Sequence, residues 1–574
     1  MTVSYILTFR PSGIDLYHNH DPSAAIFRDG ELVFAAEEER YTRQKHGENQ
    51  FPDNAIQACL DFCGIELHEV DKIIIPDDLR LRRHFLPHRL KSSVFNSESS
   101  LQTLYWLNSL LVNHTRSHFT PVEPVRRHLS NTNQQVPPIE AKSHHACHAA
   151  SAFHPSEFDR ALVVTIDGVG EYDSTVVWRG DESGIERLRT YNYPNSLGSF
   201  FGTVTEFLGY RKNNGEGKVM GLAPYGNPNT DIAATLRSAV DTGVEYDVTE
   251  IVDPKPGQTI DVANLERLFG RQRKETPTEF TQWEKDLAYE AQKLLEEIVT
   301  GIVTYYVNKT GINNVALAGG VALNCKLNKA VMDLDEVDNV FIQPVAADNG
   351  LALGAGYLEQ NPTDVEPMTD VYYGDEFETA EIRNLLETNK IDYYEPDDLE
   401  QTVAERLADG ELVGWFQGRM ELGPRALGNR SILADPRTES SRDRVNEFVK
   451  HREGWRPFAP SLRYEDADEY LEDAVESPFM IKTFDIPEHK CDEIAAVIHP
   501  NDATTRPQTV RSNQNPRYHA LLSAFADITD VPVLLNTSFN DHGEPIIRTP
   551  KEAIKAFYAM GLDILVLNDL IIEK

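Results

Sequence analysis

Residues 161–181 read ALVVTIDGVGEYDSTVVWRGD, and their order decides the fold. Ala161 to Ile166 is an apolar run rich in β-branched residues, closed by Asp167 and a glycine-containing loop. Ser174 to Trp178 is a second such run, and Gly180-Asp181 turns the chain again, so the segment reads strand, loop, strand, turn. The same layout opens the chain. Ser4 to Phe9 has a strand pattern, a polar loop with His18, His20 and Asp21 follows, and the runs SAAIF and ELVFAAE flank Arg28-Asp29-Gly30. Asp-Gly between two such runs is a strong hairpin signal. Two copies of one layout imply two related halves. A helical stretch from Phe280 to Asn308 leads into a strand-turn-helix unit, NVALAGGVALNCKLNKAV, from Asn314 to Val331. Strands alternating with helices, plus the duplicated opening, predict an α/β fold of two lobes with a cleft between them.

From Asn361 to about residue 400 the pattern breaks into acidic, Pro-containing sequence (NPTDVEPMTD, YYEPDDLE), which is read as a linker between residues 1–360 and a second domain over residues 401–574. The second domain carries strand signals at ELVGWF and VPVLLN, a helix signal at KEAIKAFYAMG, and a last strand at ILVLND. The regions Arg82 to His128 and Asn227 to Gln272 yield no role. With 55 basic against 91 acidic residues the net charge is −36. That makes nucleic acid a poor partner, because phosphate binding draws on clustered cations. An acidic surface in which Arg outnumbers Lys fits a halophilic cytosol, where salt screens self-repulsion. Five scattered cysteines without a CxxC pair indicate a reducing compartment. The N-terminal segment has no secretory pattern and no apolar run is long enough to cross a membrane, so a cytoplasmic protein without a membrane partner is expected.

Three groups of residues carry candidate chemistry. In Ser143-His144-His145-Ala146-Cys147-His148, helical spacing puts His148 on one face with either His144 or His145, the usual start of a metal site that takes carboxylates from elsewhere. Asp167, at a strand end before Gly168, and Asp348, before Asn349-Gly350 at a helix start, are available carboxylates, although turn formation and N-capping account for each singly. Gly215 to Gly221 and Gly319-Gly320 are glycine turns, the latter offering free backbone N–H groups at a helix start. Neither matches a phosphate-loop or dinucleotide fingerprint. The second domain concentrates cations among Gly and Pro: Arg419, Arg425, Arg430, Lys450, Arg452, Arg456 and Arg506, with Asn536-Thr537-Ser538-Phe539-Asn540 nearby in sequence. In so acidic a chain this set suits a small, highly charged oxyanion, which Arg grips bidentately and Lys meets as a point charge.

Taken together the motifs resemble one family, the nodulation-protein-U and aminoglycoside type O-carbamoyltransferases. The resemblance runs through HDPSAA (20–25), AAEEERYTRQKH (35–46), HHACHAASAF (144–153), NNGEGKVMGLAPYG (213–226), GGVALNCKLN (319–328), DNGLALGA (348–355), ELGPRALGNRSILADPR (421–437), NEFVKHRE (446–453), RPFAPS (456–461) and LLNTSFNDHGEPI (534–546). It implies an N-terminal domain of the actin-like ATPase (ASKHA) fold with two related lobes. It also implies a C-terminal α/β domain similar to threonylcarbamoyl-adenylate synthase. The implied activity is ATP-dependent: carbamoyl phosphate and ATP give carbamoyl adenylate, and the carbamoyl group passes to a hydroxyl of a small, sugar-like acceptor. By the same resemblance a divalent metal, Fe(II) or Mg, is held by His144, His148, Asp167 and Asp348. Carbamoyl phosphate is held by Arg425, Lys450, Arg456, Arg506 and Ser538, nucleotide by Gly319, Gly320 and Asn324, and the catalytic residues are His20, Arg425 and Lys450, with His20 as general base. A sugar kinase of the actin-like fold and a tRNA threonylcarbamoyl-type modification enzyme are the rival readings. The assembly is open, with a homodimer as one form.

Overall fold

The opening meander forms β1 (Tyr5–Phe9), β2 (Ser23–Arg28) and β3 (Glu31–Glu37). Asp29 at φ 53° and Gly30 at φ 97° supply the two positive-φ positions of a primed hairpin turn, as the Asp-Gly pair leads one to expect. With β4 (Lys72–Ile75) and β5 (Ile139–Ala141) they make a sheet ordered β3-β2-β1-β4-β5, antiparallel through the meander and parallel from β1 to β5. A second sheet repeats this plan. It contains β6 (Ala161–Ile166), β7 (Asp173–Asp181), β8 (Gly184–Asn192), β9 (Asn314–Ala318) and β10 (Asn339–Ile342), ordered β10-β9-β6-β7-β8 with the same senses. The turn read at Gly180-Asp181 lies slightly later. β7 runs through Asp181, whose carboxylate accepts the amide of Ser183 at 3.0 Å and closes an Asx-type turn.

The computed structural model describes residues 3–85 (side chains to 82), 115–130, 135–252, 262–362, 365–450 and 456–574. Arg452 and parts of the 82–128 and 227–272 regions lie outside them. The chain divides into two compact units, Met1–Glu38 with Gly47–Pro367, and Glu39–His46 with Met368–Lys574. Residues 368–400, read from sequence as part of a linker, therefore belong to the second unit. They contain a helix, Thr379–Asn389, started by a capping box between Glu378 and Glu381 that the acidic composition disguised.

Two helices of the first unit, His144–Phe153 and Leu351–Gln360, pack against each other, Leu351–Gln360 lying on β1, β2 and β4 of the first sheet and His144–Phe153 on β6, β7 and β9 of the second. They share a core with Ile74 of β4 through Cys147, Leu351 and Ala355. Contact is close because Gly354 has no side chain: a Cβ there would lie 1.8 Å from the carbonyl oxygen of Cys147. Gly354→Val should therefore push the two helices apart and destabilise the first unit by about 3 kcal/mol or more, read as a lowered Tm; unchanged melting would show that the backbone gives way freely.

The second unit is built on a seven-stranded mixed sheet, ordered β16-β13-β17-β12-β11-β18-β19. Its strands are β11 (Val413–Phe416), β12 (Arg430–Ala434), β13 (Ala459–Arg463), β16 (Gln508–Val510), β17 (Val533–Ser538), β18 (Ile564–Leu567) and β19 (Leu570–Glu573). Between β13 and β16, the short strands β14 (Phe484–Asp485) and β15 (Thr504–Thr505) pair separately. β11, β12 and β18 are buried along their whole length, so the core lies on both faces of the sheet.

Candidate metal and anion sites

In the first unit the helix His144–Phe153 presents His144 and His148 side by side, both buried, opposite the ends of β6 and of the loop after β10. Asp167 Oδ2 lies 3.1 Å from His144 Nε2 and 3.3 Å from His148 Nε2. Asp348 Oδ1 lies 3.5 Å from each of the same nitrogens. All four ligand atoms fall within 4.8 Å of one another. Donors bonded at about 2.1 Å to one ion stand about 3.0 to 3.4 Å apart, so two neutral imidazoles and two carboxylates at these separations fit a divalent cation. Asp77 Oδ1 approaches the far nitrogen of His144, Nδ1, at 3.6 Å, the carboxylate-behind-histidine arrangement that orients metal-bound rings. His145 is turned elsewhere: its Nδ1 is 2.9 Å from Thr165 Oγ1, and its Nε2 is 3.1 Å from the carbonyl of Asp173.

The electrostatics follow from this crowding. Burial works against a charged His144, but Asp348, Asp167 and Asp77 overcome it and hold its pKa well above the ordinary value. Burial likewise opposes ionisation of Asp167, yet its bonds to His144 and His148 hold it well below the carboxylate range. His145 is pushed the other way, well below its usual value, by burial and by the two neighbouring rings. Arg10 is buried and donates to Asp348 Oδ2 at 2.5 Å, and Asp348 also lies 3.8 Å from Nε2 of His20. A carboxylate can only accept, so His20 donates Nδ1–H to Asp21 Oδ2 at 2.8 Å, which leaves Nε2 as the base nitrogen. Burial opposes protonation of this half-buried ring, and Asp21 and Asp348 outweigh it to raise its pKa. Glu171, raised to about 7 by burial, accepts from the amides of His144 (3.0 Å) and Asp78 (2.8 Å) and so caps the histidine-bearing helix, whose own Ser143 makes no side-chain cap.

The glycine turn after β9 has Gly319 at φ 88°, where a Cβ would meet the carbonyl of Ile166 at 2.3 Å. Only glycine fits there, and the backbone of β6 is the reason. Asn324 is buried, caps the helix Cys325–Met332 by accepting from Leu327 N at 3.0 Å, and exchanges amide bonds of 2.8 and 3.1 Å with Gln292.

In the second unit the strand registers gather the anion candidates. β13 and β16 are parallel, and Arg456 and Arg506 stand just before their first residues. β17 is antiparallel to β13 and to β12, so its last residue, Ser538, lies beside the start of both. The loop carrying Arg425 leads into β12. Arg425, Arg456, Arg506 and Ser538 thus meet at one end of four adjacent strands, all half-buried. Lys450 is buried at the same end, and its ammonium donates to Ser538 O (2.5 Å), Asn540 O (3.1 Å) and Asn540 Oδ1 (2.9 Å), bracing the turn after β17. A further cation joins them. Lys45, on the segment Glu39–His46, has its pKa lowered chiefly by burial and further by Arg40, Arg456 and Arg425, against the pull of Glu39. Sequence reasoning missed Lys45, Arg10, Asp77 and Glu171, and named Asp21 without giving it a role. The only available signal for Lys45 was its place inside AAEEERYTRQKH.

Among the described residues, no helix is long and apolar enough to cross a membrane. Residues 10–357 match the carbamoyltransferase N-terminus family and residues 404–574 the carbamoyltransferase C-terminus family. The chain is 37% identical to the nodulation protein NolNO of Sinorhizobium fredii, over 97% of this chain and 79% of that protein. It is 30% identical to 3'-hydroxymethylcephem-O-carbamoyltransferase of Streptomyces clavuligerus, over 70% of this chain and 77% of the other. The crystal structure of full-length HypF in its phosphate- and nucleotide-bound form covers 62% of this chain and 55% of its own, at 12% identity and a TM-score of 0.35. With both domain families matched in order across most of its length, and an O-carbamoyltransferase among its relatives, the chain belongs to the carbamoyltransferase family of enzymes.

Proposed function

We propose that this carbamoyltransferase is ATP-dependent, forms carbamoyl adenylate, and carbamoylates a hydroxyl of a small, sugar-like acceptor. The observation that carries the reading is the meeting of Arg425, Arg456, Arg506 and Ser538 at one end of the second unit's sheet, with Lys450 and Lys45 beside them, in a chain of net charge −36. Such a nest suits the dianionic phosphate of carbamoyl phosphate and stabilises it as a leaving group. A sugar kinase has no need of it. The duplicated sheet plan of the first unit supports the two-lobed actin-like ATPase assignment for residues 1–360, with Gly319, Gly320 and Asn324 at the nucleotide. The second unit, Glu39–His46 with Met368–Lys574, is then the carbamoyl phosphate domain. A cytoplasmic enzyme adapted to high salt, acting as a monomer or homodimer, completes the proposal.

The atom balance fixes the order of events. Carbamoyl adenylate has a carboxyl oxygen bonded to the α-phosphorus of the nucleotide. Carbamoyl phosphate must therefore first lose phosphate to water, and the resulting carbamate displaces diphosphate from ATP. The acceptor hydroxyl then attacks the carbonyl, AMP leaves, and the hydroxyl proton goes to a base. His20 suits that role, because Asp21 fixes its tautomer and Nε2 is the nitrogen left to accept the proton. His144, His148, Asp167 and Asp348 would hold a divalent metal, Fe(II) or Mg, which supplies charge neutralisation for phosphate or carbonyl oxygens. The relative from Streptomyces clavuligerus is named for carbamoylating a hydroxymethyl oxygen, which supports an alcohol as acceptor.

The test is to incubate the enzyme with ATP, labelled carbamoyl phosphate and a metabolite extract. AMP and diphosphate should appear only when carbamoyl phosphate is present, and one metabolite should gain a single carbamoyl group by mass spectrometry. ADP with a phosphorylated product, formed without carbamoyl phosphate, would establish the kinase reading instead.

A further inference from the structure

We propose that Glu421, in the core of the second unit, is the positioning residue for Arg425, and thereby sets affinity for the anion. The inference rests on the carbamoyl phosphate reading above. Its starting point is that Glu421 has no exposed surface although it belongs to the β11–β12 hairpin loop, residues 417–429. Burying a carboxylate is costly unless hydrogen bonds replace its water. Here a single oxygen, Oε1, accepts the backbone amides of Leu427 (2.7 Å), Arg430 (3.1 Å) and Asn429 (3.3 Å). The loop is thus pinned around one charge, and Arg425 sits two residues before the shortest of these bonds. A neutral acceptor would hold three converging amides far less firmly, since charge-assisted bonds are roughly twice as strong.

The rest of the loop is tied down in the same manner. The carbonyl of Leu427 accepts from the hydroxyl of Tyr372 (2.7 Å) and from Gln508 Nε2 (2.8 Å). The carbonyl of Gly428 accepts from Trp415 Nε1 (2.9 Å) and Gln417 Nε2 (3.0 Å), while its amide donates to Ser431 Oγ (3.0 Å). Gly428 itself, at φ 98°, lies against the ring of Tyr518, where a Cβ would come within 2.3 Å of the ring, so no side chain fits at this position. The guanidinium of the buried Arg430, the first residue of β12, is held by carbonyls of Gln417, Asn429, Asp375 and Gly418 and lies 3.7 Å over the ring of Phe416, fixing a positive charge where the loop ends. Near the tip of the loop Pro424 is exposed and Arg425 is half-buried, four residues from the buried Glu421. Such stiffness at a loop is what pre-organised anion recognition requires.

A double-substitution cycle decides the matter, read by isothermal titration of the full chain with carbamoyl phosphate. Glu421→Gln keeps the size and one oxygen but removes the charge, and should weaken binding about tenfold with ATP binding unchanged. Tyr372→Phe, which frees the carbonyl of Leu427 from one donor without altering the carboxylate, should weaken it in the same direction and serves if Glu421→Gln does not fold. Arg425→Ala should weaken binding more than either. If Glu421 acts through Arg425, adding Glu421→Gln or Tyr372→Phe to Arg425→Ala changes nothing further, a result that general loosening of the fold would not give. Full affinity in Glu421→Gln, or losses that multiply in the double variant, would overturn the proposal while leaving the anion site standing. Unchanged affinity in Arg425→Ala would overturn the anion site itself, and this proposal with it.

Discussion

Asp167→Asn should cost the enzyme at least about a thousandfold in turnover, near 4 kcal/mol of transition-state stabilisation, and most of its bound divalent metal. The reason is geometric. One oxygen of Asp167 stands within 3.3 Å of both His144 and His148, and the other takes the amide of Gly168 at 2.7 Å, so the carboxylate is aimed by its own strand end. The amide keeps the shape and loses the charge that makes this donor set attractive to a cation. Metal content measured by mass spectrometry, beside Tm and turnover, separates the outcomes. A variant that melts like the parent, retains its metal and keeps full rate would remove the metal site from the mechanism. Loss of metal with unchanged Tm would place the group in function and not in folding.

Arg456→Ala and His20→Ala should fail at different steps. Arg456 belongs to the cation nest at the end of the second unit's sheet, so its loss should suppress carbamoyl phosphate-dependent formation of AMP and diphosphate by about 10²–10³-fold. His20 belongs to the first unit, where Asp21 orients it. Its loss should permit the adenylate to form, with AMP then arising only by hydrolysis, while the carbamoyl ester falls by about 10²–10⁴-fold. Quenched reactions analysed for adenylate, AMP and ester report the two steps separately. Equal loss of both steps in both variants would contradict this division of labour.

Much of the fold was legible because the signals are local. The Asp29-Gly30 turn needs two positive-φ residues, and the apolar run at 161–166 is a strand buried on every residue. The repetition of that opening anticipated two sheets of the same order. The reading of residues 361–400 as a linker was incomplete because composition outweighed a short capping signal at Glu378 and Glu381. Similarly, the strand end at Asp181 was set by a side-chain bond to Ser183 that a glycine in the pattern obscured.

By itself the sequence determined which side chains share a helix face, where turns fall, and, through the order of its motifs, the family. Spacing left His144 and His145 equivalent. The family resemblance favoured His144, and the folded chain supplies the physical reason, turning His144 and His148 toward Asp167 and Asp348 and His145 toward Thr165. Tertiary structure alone also decided that Arg10 and Asp77 back that cluster, that Lys45 joins Arg425 and Arg456, and that a buried Glu421 holds the loop that carries Arg425. The physical reason is common to all of these. Helical and strand periodicities act over a few residues, whereas charges compensate one another wherever sheet registers and packed helices bring distant segments within a few ångströms.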